Sequence, residues 1–479
     1  MQPTSWQKNL IWVILAFLIV WLNRQHFFFW DTVQLTSMHA HWFYDRHFSV
    51  FFLPPNYDSG HPPFWGMYHA LLWQLFGKSL TVSHLGMFPF LFGVFYFADK
   101  VGVLLTQNRG WGLYFGLFLV ADSVFLTQAS LVSPDVALVC FFLMTLAGLL
   151  QAKQGEKRHL NTLMMIGAIG LSMISLRGMM TLAGLGFYLL FDLGIRRGLR
   201  QMWNFLPGIF VGFGFLLAHS LHTHWIGYHA DSPWADSFQL VDFQGIIKNS
   251  LVLIWRLLDV GRVFIWILLL FIGWRYRVSI STHLWRLFGA LSLTLLPTFL
   301  LYRGLNGMRY LLPLMITMDL IFVRALWYLR RQGDKRWLFI YIFSFLAFAT
   351  GHTWQYPQNI SMSWDTTLLH SPYYSLRKKM MAYIQEENIP IPQIATAFPN
   401  TAPLEIIDLN EISESMTSLD DPNAKYIFLS NIFNDAKHQR QDIQKKYPLL
   451  KKFESHGIWV ALYRKAELHS PNQEKKHIE

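Results

Sequence analysis

A chain of 479 residues that is 53% hydrophobic, 17% aromatic and only 14% charged is too apolar for a soluble enzyme and too long for a single membrane crossing. Its net charge of +11 sits in short basic clusters between apolar runs, a pattern that reports membrane topology and not a nucleic-acid partner. One cysteine, Cys140, excludes an intramolecular disulfide and a cysteine zinc site.

Apolar runs of about 17 to 25 residues recur along the chain and predict a polytopic helical membrane protein. The first span covers about residues 7–24, with Lys8 at its inner end. No small-residue cleavage site follows its apolar stretch, so it reads as a retained helix rather than a signal peptide. The first outer loop, 26–63, carries Asp31, Asp45, Asp58 and five histidines among aromatics suited to a membrane interface. Carboxylates held near hydrocarbon point to chemistry on a folded loop.

The next apolar piece, 62–77, is short for a crossing. Further spans are predicted at 84–105, 111–130, 134–152, 160–176, 178–193, 203–219, 258–274, 284–302, 310–329 and 337–350. If 62–77 does not cross, the clusters Arg109, Lys153–Arg158, Arg196–Arg200, Arg275–Arg286 and Arg330–Arg336 share one side. The positive-inside rule then predicts about eleven spans, an inner amino terminus and an outer tail. The 62–77 segment becomes an interfacial or re-entrant helix. A transmembrane domain thus occupies 1–364.

From about residue 365 charged residues become frequent and short β-like runs appear at 393–398, 424–430 and 457–464, with helical patterns at 373–387 and 434–446. Residues 365–479 therefore read as a small extracytoplasmic α/β domain ending in a polar, frayed tail. The expected fold class is an all-α polytopic bundle with interfacial helices, plus this domain.

Polar residues recur at the outer helix ends. Asp31 opens the first outer loop, Asp135 begins a span in LVSPDVAL, Arg177 sits in ISLRGMM, and Arg303 and Arg309 bracket YRGLNGMRYLLP. Arginine's planar fork suits phosphate, and a carboxylate can act as a base or hold a cation. Taken singly, each also fits an ordinary interface residue. His39, His41 and Asp58 are candidate ligands for a divalent metal, as are His219, His222, His224 and His229. An imidazole-rich amphipathic surface is the plainer reading of both groups.

The order of these motifs resembles the GT-C superfamily of protein O-mannosyltransferases and aminoarabinose (lipid A) transferases. An acid in the first outer loop is followed by DSGHPPFWGMYHALLWQLFGKS, then LVSPDVALVCFFLMTLAGLL, SLRGMM and GMRYLLPLM, covering most of residues 7–330. The resemblance implies a glycosyltransferase that takes a sugar from a polyprenyl-phosphate carrier at the outer face of a membrane, such as the bacterial inner membrane. It implies Asp31 as the catalytic carboxylate, Asp135 as a second cavity acid, and Arg177, Arg303 and Arg309 on the phosphate side. The family often has Asp-Glu where this chain has Asp31-Thr32. The aminoarabinose branch has lysine where His61 stands, and a protonated His61 can still donate to phosphate.

The acceptor, whether lipid, glycan or protein, stays open, as does the sugar. A lipid-linked donor is already activated, so no nucleotide-binding loop or other cofactor is required, although a divalent metal is compatible with the pattern. Two other readings remain at this point. A transporter would show inverted repeats around a mid-membrane site, and a non-catalytic envelope assembly protein would not need these charges for any transfer.

Overall fold

The structure is a computed structural model and describes residues 4–154, 161–229, 235–276, 282–356, 364–433 and 437–465. The polar tail after 465 and parts of the Lys153–Arg158 and Arg275–Arg286 clusters lie outside the described residues. Two compact units are present. The first comprises Met1–His26, Gln34–Trp354 and Asp365–Leu368, and the second Phe27–Val33, Gln355–Trp364 and Leu369–Glu479.

The first unit is helical. In its amino-terminal half lie α1 (Ser5–Asn23), α2 (His39–Asp45), α3 (Phe64–Phe76), α4 (Leu80–Leu85), α5 (Phe88–Thr106), α6 (Trp111–Ala121), α7 (Ser123–Ser130) and α8 (Pro134–Lys153). There follow α9 (Thr162–Ile174), α10 (Leu176–Leu193), α11 (Ile195–Met202), α12 (Leu206–Thr223), α13 (Phe243–Leu258), α14 (Arg262–Tyr276), α15 (Thr282–Leu301), α16 (Leu312–Arg331) and α17 (Arg336–Ala349).

Among the described residues, seven helical segments are long and apolar enough to cross a membrane, and two bent pairs each supply another if counted as one span. The pairs are α6 with α7, bent by 72°, and α13 with α14, bent by 80°. The other two predicted spans are the shorter helices α9 and α17, of 13 and 14 residues. At 1.5 Å per residue these reach only about 20 Å, less than the hydrocarbon thickness. Helix α13 occupies a stretch read from the sequence as outer loop. The 62–77 segment forms α3, anchored by Trp65 to Thr36 (3.0 Å) and by Trp73 to Ser83 (2.8 Å).

Burial orders these helices. The spans Pro134–Lys153 and Met308–Arg331 are 78% and 83% buried, whereas Ile195–Thr223 is only 22% buried. The first two, apolar on every face, form the centre, and the third leaves apolar surface for lipid. Small residues bring neighbours close. A Cβ on Gly167 would lie 2.1 Å from Thr145 Oγ1, and one on Gly208 would lie 2.4 Å from the Ala168 carbonyl. These glycines seat α9 against α8 and α12 against α9.

Some of the basic residues expected to share a side, Arg109, Lys153 and Arg286, lie with Lys8 at one end of the bundle. Lys8 pairs with Asp99 (2.8 Å) and donates to the Arg109 carbonyl (2.9 Å), while Gln154 at the end of α8 donates to the Leu104 carbonyl of α5 (2.8 Å). Next to Gln154, Lys153 pairs with Asp192, which also holds His283 and Arg286.

In the second unit, β1 (Ile394–Thr396), β2 (Thr417–Ser418), β3 (Tyr426–Ser430), β4 (Leu449–Ser455) and β5 (Ile458–Arg464) form one sheet in the order β2-β1-β3-β5-β4. The first three are parallel, and β5 runs antiparallel to β3 and β4, with Leu429 opposite Ala461 and Phe453 opposite Val460. Helices α18 (Pro372–Glu386), α19 (Leu404–Ile407) and α20 (Lys437–Lys446) complete it. Two strands escape the sequence reading. β2 has two residues, and LLKKFES of β4 breaks its apolar alternation with paired lysines.

Candidate active site

Six polar residues of the first unit, Gln128, Ser133, Asp135, Arg177, Arg309 and Asp365, form one network that takes in the ring of Tyr310. Ser133 caps α8, its hydroxyl accepting from the Asp135 amide (3.3 Å) and donating to Gln128 Oε1 (2.8 Å). That turn puts Asp135 at the positive end of the helix, where a carboxylate is stabilised. Arg177 occupies the first turn of α10, which Ser175 caps through the Gly178 amide (3.1 Å). Its Nη1 meets Asp135 Oδ1 at 2.8 Å, with both side chains largely buried.

From there the network runs to Tyr310. The Arg177 guanidinium lies 4.4 Å from the Tyr310 ring centroid and the Arg309 guanidinium 5.2 Å from it. Arg309 Nε is 3.5 Å from Asp365 Oδ2, and Gln128 Nε2 donates to the Asp365 carbonyl (2.9 Å), closing the circuit back to Ser133. Two guanidiniums over one aromatic ring repel each other, and Asp135 and Asp365 offset that repulsion.

Other predicted residues lie elsewhere in this unit. Arg303 is exposed and pairs with the 237–240 segment, its amide donating to the Gln239 carbonyl (2.9 Å) and its Nη1 to Gln239 Oε1 (3.3 Å). His61 is partly buried next to Gly60, whose positive φ of 71° and close approach to Gly227 fix the loop. Asp58 accepts from the Gly60 amide and from His219 Nε2, both at 2.8 Å, so it ties the loop to α12. His39 Nε2 donates to the Tyr57 carbonyl (2.9 Å), and His41 Nδ1 bonds the Ser37 carbonyl (2.8 Å).

His39, His41 and Asp58 are thus each engaged separately, and no three His, Cys, Asp or Glu side chains gather as metal ligands among the described residues. Burial pushes the His39 imidazole down to about 4, despite the opposing pull of the Tyr57 carbonyl and the Asp58 charge. Because the unfolded histidine titrates near 6.5, the unfolded chain takes up a proton between those values that the folded one refuses. Stability is therefore lost as pH falls through this window, by about 2 kcal/mol at pH 5 from His39 alone. The drop in Tm between pH 7 and pH 5 should be smaller in His39→Gln. An unchanged pH slope would mean that His39 is not held neutral.

Asp31 belongs to the second unit, on a turn built from FFFWDT. The Phe28 amide donates to the Ile407 carbonyl (3.0 Å), Phe29 packs on Tyr373, and Trp30 Nε1 donates to the Ile432 carbonyl (3.4 Å). Trp30 takes φ = 48°, an uncommon conformation for a bulky residue. Thr32 stabilises it, its hydroxyl donating to the Phe29 carbonyl (2.7 Å) and accepting from the Phe29 amide (3.0 Å). The threonine that departs from the family's Asp-Glu pattern therefore closes the turn presenting Asp31.

With this geometry established, comparison with known proteins is informative. The family described as dolichyl-phosphate-mannose-protein mannosyltransferase matches residues 60–222, a stretch containing His61, Asp135 and Arg177. Among solved structures, ArnT from Cupriavidus metallidurans bound to undecaprenyl phosphate superposes with a TM-score of 0.56 at 11% identity, covering 95% of this chain and 97% of that one. The same protein in the apo state gives 0.52 with the same identity and coverage. No curated protein sequence matches. The chain has the GT-C fold. Family match and GT-C fold agree with the resemblance carried by the motifs, and the apolar helices make this an integral, multi-pass membrane protein.

Within the GT-C bundle some polar residues escaped the sequence reading. Tyr310 stands inside the quoted GMRYLLP motif but gave no sign of a shared cation platform, and nothing near Asp365 marked it. A second group is more telling. Asp122, Arg262 and Asp319 are fully buried, Arg262 pairing with Asp122 and, at 3.2 Å, with Asp319. Each is a charged residue within a predicted apolar span, which is itself a signal.

Proposed function

We propose that the protein transfers a sugar from a polyprenyl-phosphate carrier to an acceptor at the outer face of the membrane, releasing the lipid phosphate. The observation that carries this reading is the Arg177–Tyr310–Arg309 cluster with its two acids at helix ends. The acceptor oxygen attacks the anomeric carbon, the bond from that carbon to the phosphate oxygen breaks, and charge accumulates on the departing phosphate. Preorganised guanidiniums stabilise that charge where it develops. We assign Asp31 to orienting the acceptor and, for a hydroxyl, to taking its proton. Asp135 holds Arg177 in place.

ArnT is described as bound to undecaprenyl phosphate, which supports a donor of the same class here. The donor's activated bond leaves no step that calls for a cofactor. The basic end bearing Lys8, Lys153 and Arg286 suits the cytoplasm by the positive-inside rule, so the Asp135–Arg177 end faces outward, to the periplasm if the membrane is a bacterial inner membrane. Lipid A, other glycolipids, glycans and protein hydroxyls are all compatible acceptors.

Broken spans with buried charge are shared with transporters, but here the charges of Asp122, Arg262 and Asp319 pair with one another. Purified protein given labelled polyprenyl-phosphate sugars should release lipid phosphate. Arg177→Gln and Arg309→Gln should each lower turnover about 100-fold, and Arg303→Gln should cost less because its side chain engages Gln239. Normal turnover by both of the first two variants would place the phosphate elsewhere.

A further inference from the structure

We infer that the end of the bundle opposite the Arg177 cluster carries a second lipid site, which holds one anionic diacyl phospholipid of the inner leaflet. The site has an apolar part and a charged part. The apolar part is a cavity of about 370 Å³ along α10 and α12 that runs from Met179, in the first turn of α10, past Ala183 and Phe187 to Leu190, where Met202 and Phe205 line its far end. Gly186 and Gly212 shape its floor: a Cβ at Gly186 would come 3.3 Å from Met202 Cε, and one at Gly212 3.2 Å from Ser172 Cβ. In a membrane protein such a recess faces hydrocarbon, and its natural filling is an acyl chain.

The charged part adjoins it. Met202 ends α11, whose sequence IRRGLRQM puts Ile195 and Leu199 on one stripe and Arg196 and Arg197 off it. Ile195 and Leu199 of this short helix and Trp203 just after it are 73%, 51% and 67% exposed, so the stripe is left largely uncovered by the described residues. Exposed apolar residues with a tryptophan and arginines in one short helix describe an element lying in the membrane interface. The neighbouring carboxylate, Asp192, is taken up by Lys153, His283 and Arg286. Arg196 and Arg197, both exposed, offer charge complementary to a phosphate headgroup whose chain enters the recess beside Met202. The charge at the α11 end of the recess selects one anionic lipid over a merely annular one.

The full chain in detergent would be titrated with phosphatidylglycerol or with phosphatidylcholine of the same acyl chains, and bound lipid counted by native mass spectrometry. The wild type should retain one phosphatidylglycerol at least about 10-fold more strongly than phosphatidylcholine. The double variant Arg196→Gln/Arg197→Gln should lose that preference, and Arg196→Lys/Arg197→Lys should keep most of it. Ala183→Trp, a change on the exposed face that fills the recess, should weaken retention of both lipids. Equal retention of the two lipids by the wild type means annular lipid only and overturns the site. Wild-type retention of phosphatidylglycerol by Ala183→Trp overturns the seating of its chain.

Discussion

Replacing Arg262 with methionine should destabilise the protein by about 3–5 kcal/mol, the cost of stranding a buried charge without its partner. Here two carboxylates depend on one guanidinium. Arg262, Asp122 and Asp319 are all 0% exposed, and the Arg262 guanidinium also lies 4.9 Å from the Phe348 ring centroid. Their positions explain why such a costly group sits in this bundle. Asp122 occupies the break between α6 and α7, where its carboxylate also accepts from the Val124 and Phe125 amides (2.9 and 3.2 Å). Arg262 begins α14 just after the other break, where Gly261 takes φ = 84° and its backbone is packed against Ala347 and Phe348. Asp319 comes from the central helix α16. The triad fastens both broken spans to the centre of the bundle, and its loss should release them together. Thermal unfolding in detergent would measure the effect as a fall in Tm and in the yield of monodisperse protein. The variant Asp122→Asn/Arg262→Met/Asp319→Leu, which removes charge from all three positions while keeping an acceptor for the α7 cap, should recover much of the loss. A single Arg262→Met variant with wild-type Tm would show that the triad does not hold the breaks.

What could be read from the chain follows from what each signal depends on. Span positions depend on local composition, and each predicted span contains a helix because a backbone in hydrocarbon must satisfy its own hydrogen bonds. The breaks at Asp122 and at Asp259–Gly261 interrupt apolar runs without changing their mean hydropathy, so 111–130 read as one straight span and 243–258 as loop. The acid and arginine at the starts of α8 and α10 were legible because helix starts announce themselves through Ser133, Pro134 and Ser175. That Arg177 and Arg309 would share the ring of Tyr310, and that Asp365 would answer Arg309, depends on packing between segments far apart in the chain. No local pattern encodes that. Arg303 resembled Arg309 in sequence because both flank the same turn, yet pairing of the chain with Gln239 turns it to another partner. Likewise Asp58 and His39 look like ligands by residue type alone, whereas in the fold His39 bonds the Tyr57 carbonyl and Asp58 joins the loop to His219 of α12.

Asp31→Asn should leave the protein folded and able to bind donor, with turnover lowered at least about 100-fold, the loss expected when a general base is removed. Several contacts hold the turn around Asp31: the Phe28 amide on Ile407, the Trp30 indole on Ile432, and the Thr32 hydroxyl on Phe29. Asparagine matches the shape of aspartate and keeps an acceptor oxygen, so φ = 48° at Trp30 is expected to persist. What disappears is negative charge and basicity at one point. For a hydroxyl acceptor that is the proton sink for the attacking oxygen, and the loss should fall on kcat with KM for the donor little changed. For an acceptor that is already an anion no proton needs to leave, so Asp31 would serve only to position it and the penalty should shrink. The size of the effect across acceptors therefore reports which class is native. Donor binding and transfer would be measured on the same purified sample, so that a folding defect is separated from a catalytic one. Near-normal transfer to every acceptor by a well-folded Asp31→Asn protein would remove Asp31 from the mechanism. Asp135 would then be the next carboxylate to test, with Arg177 as its partner at 2.8 Å.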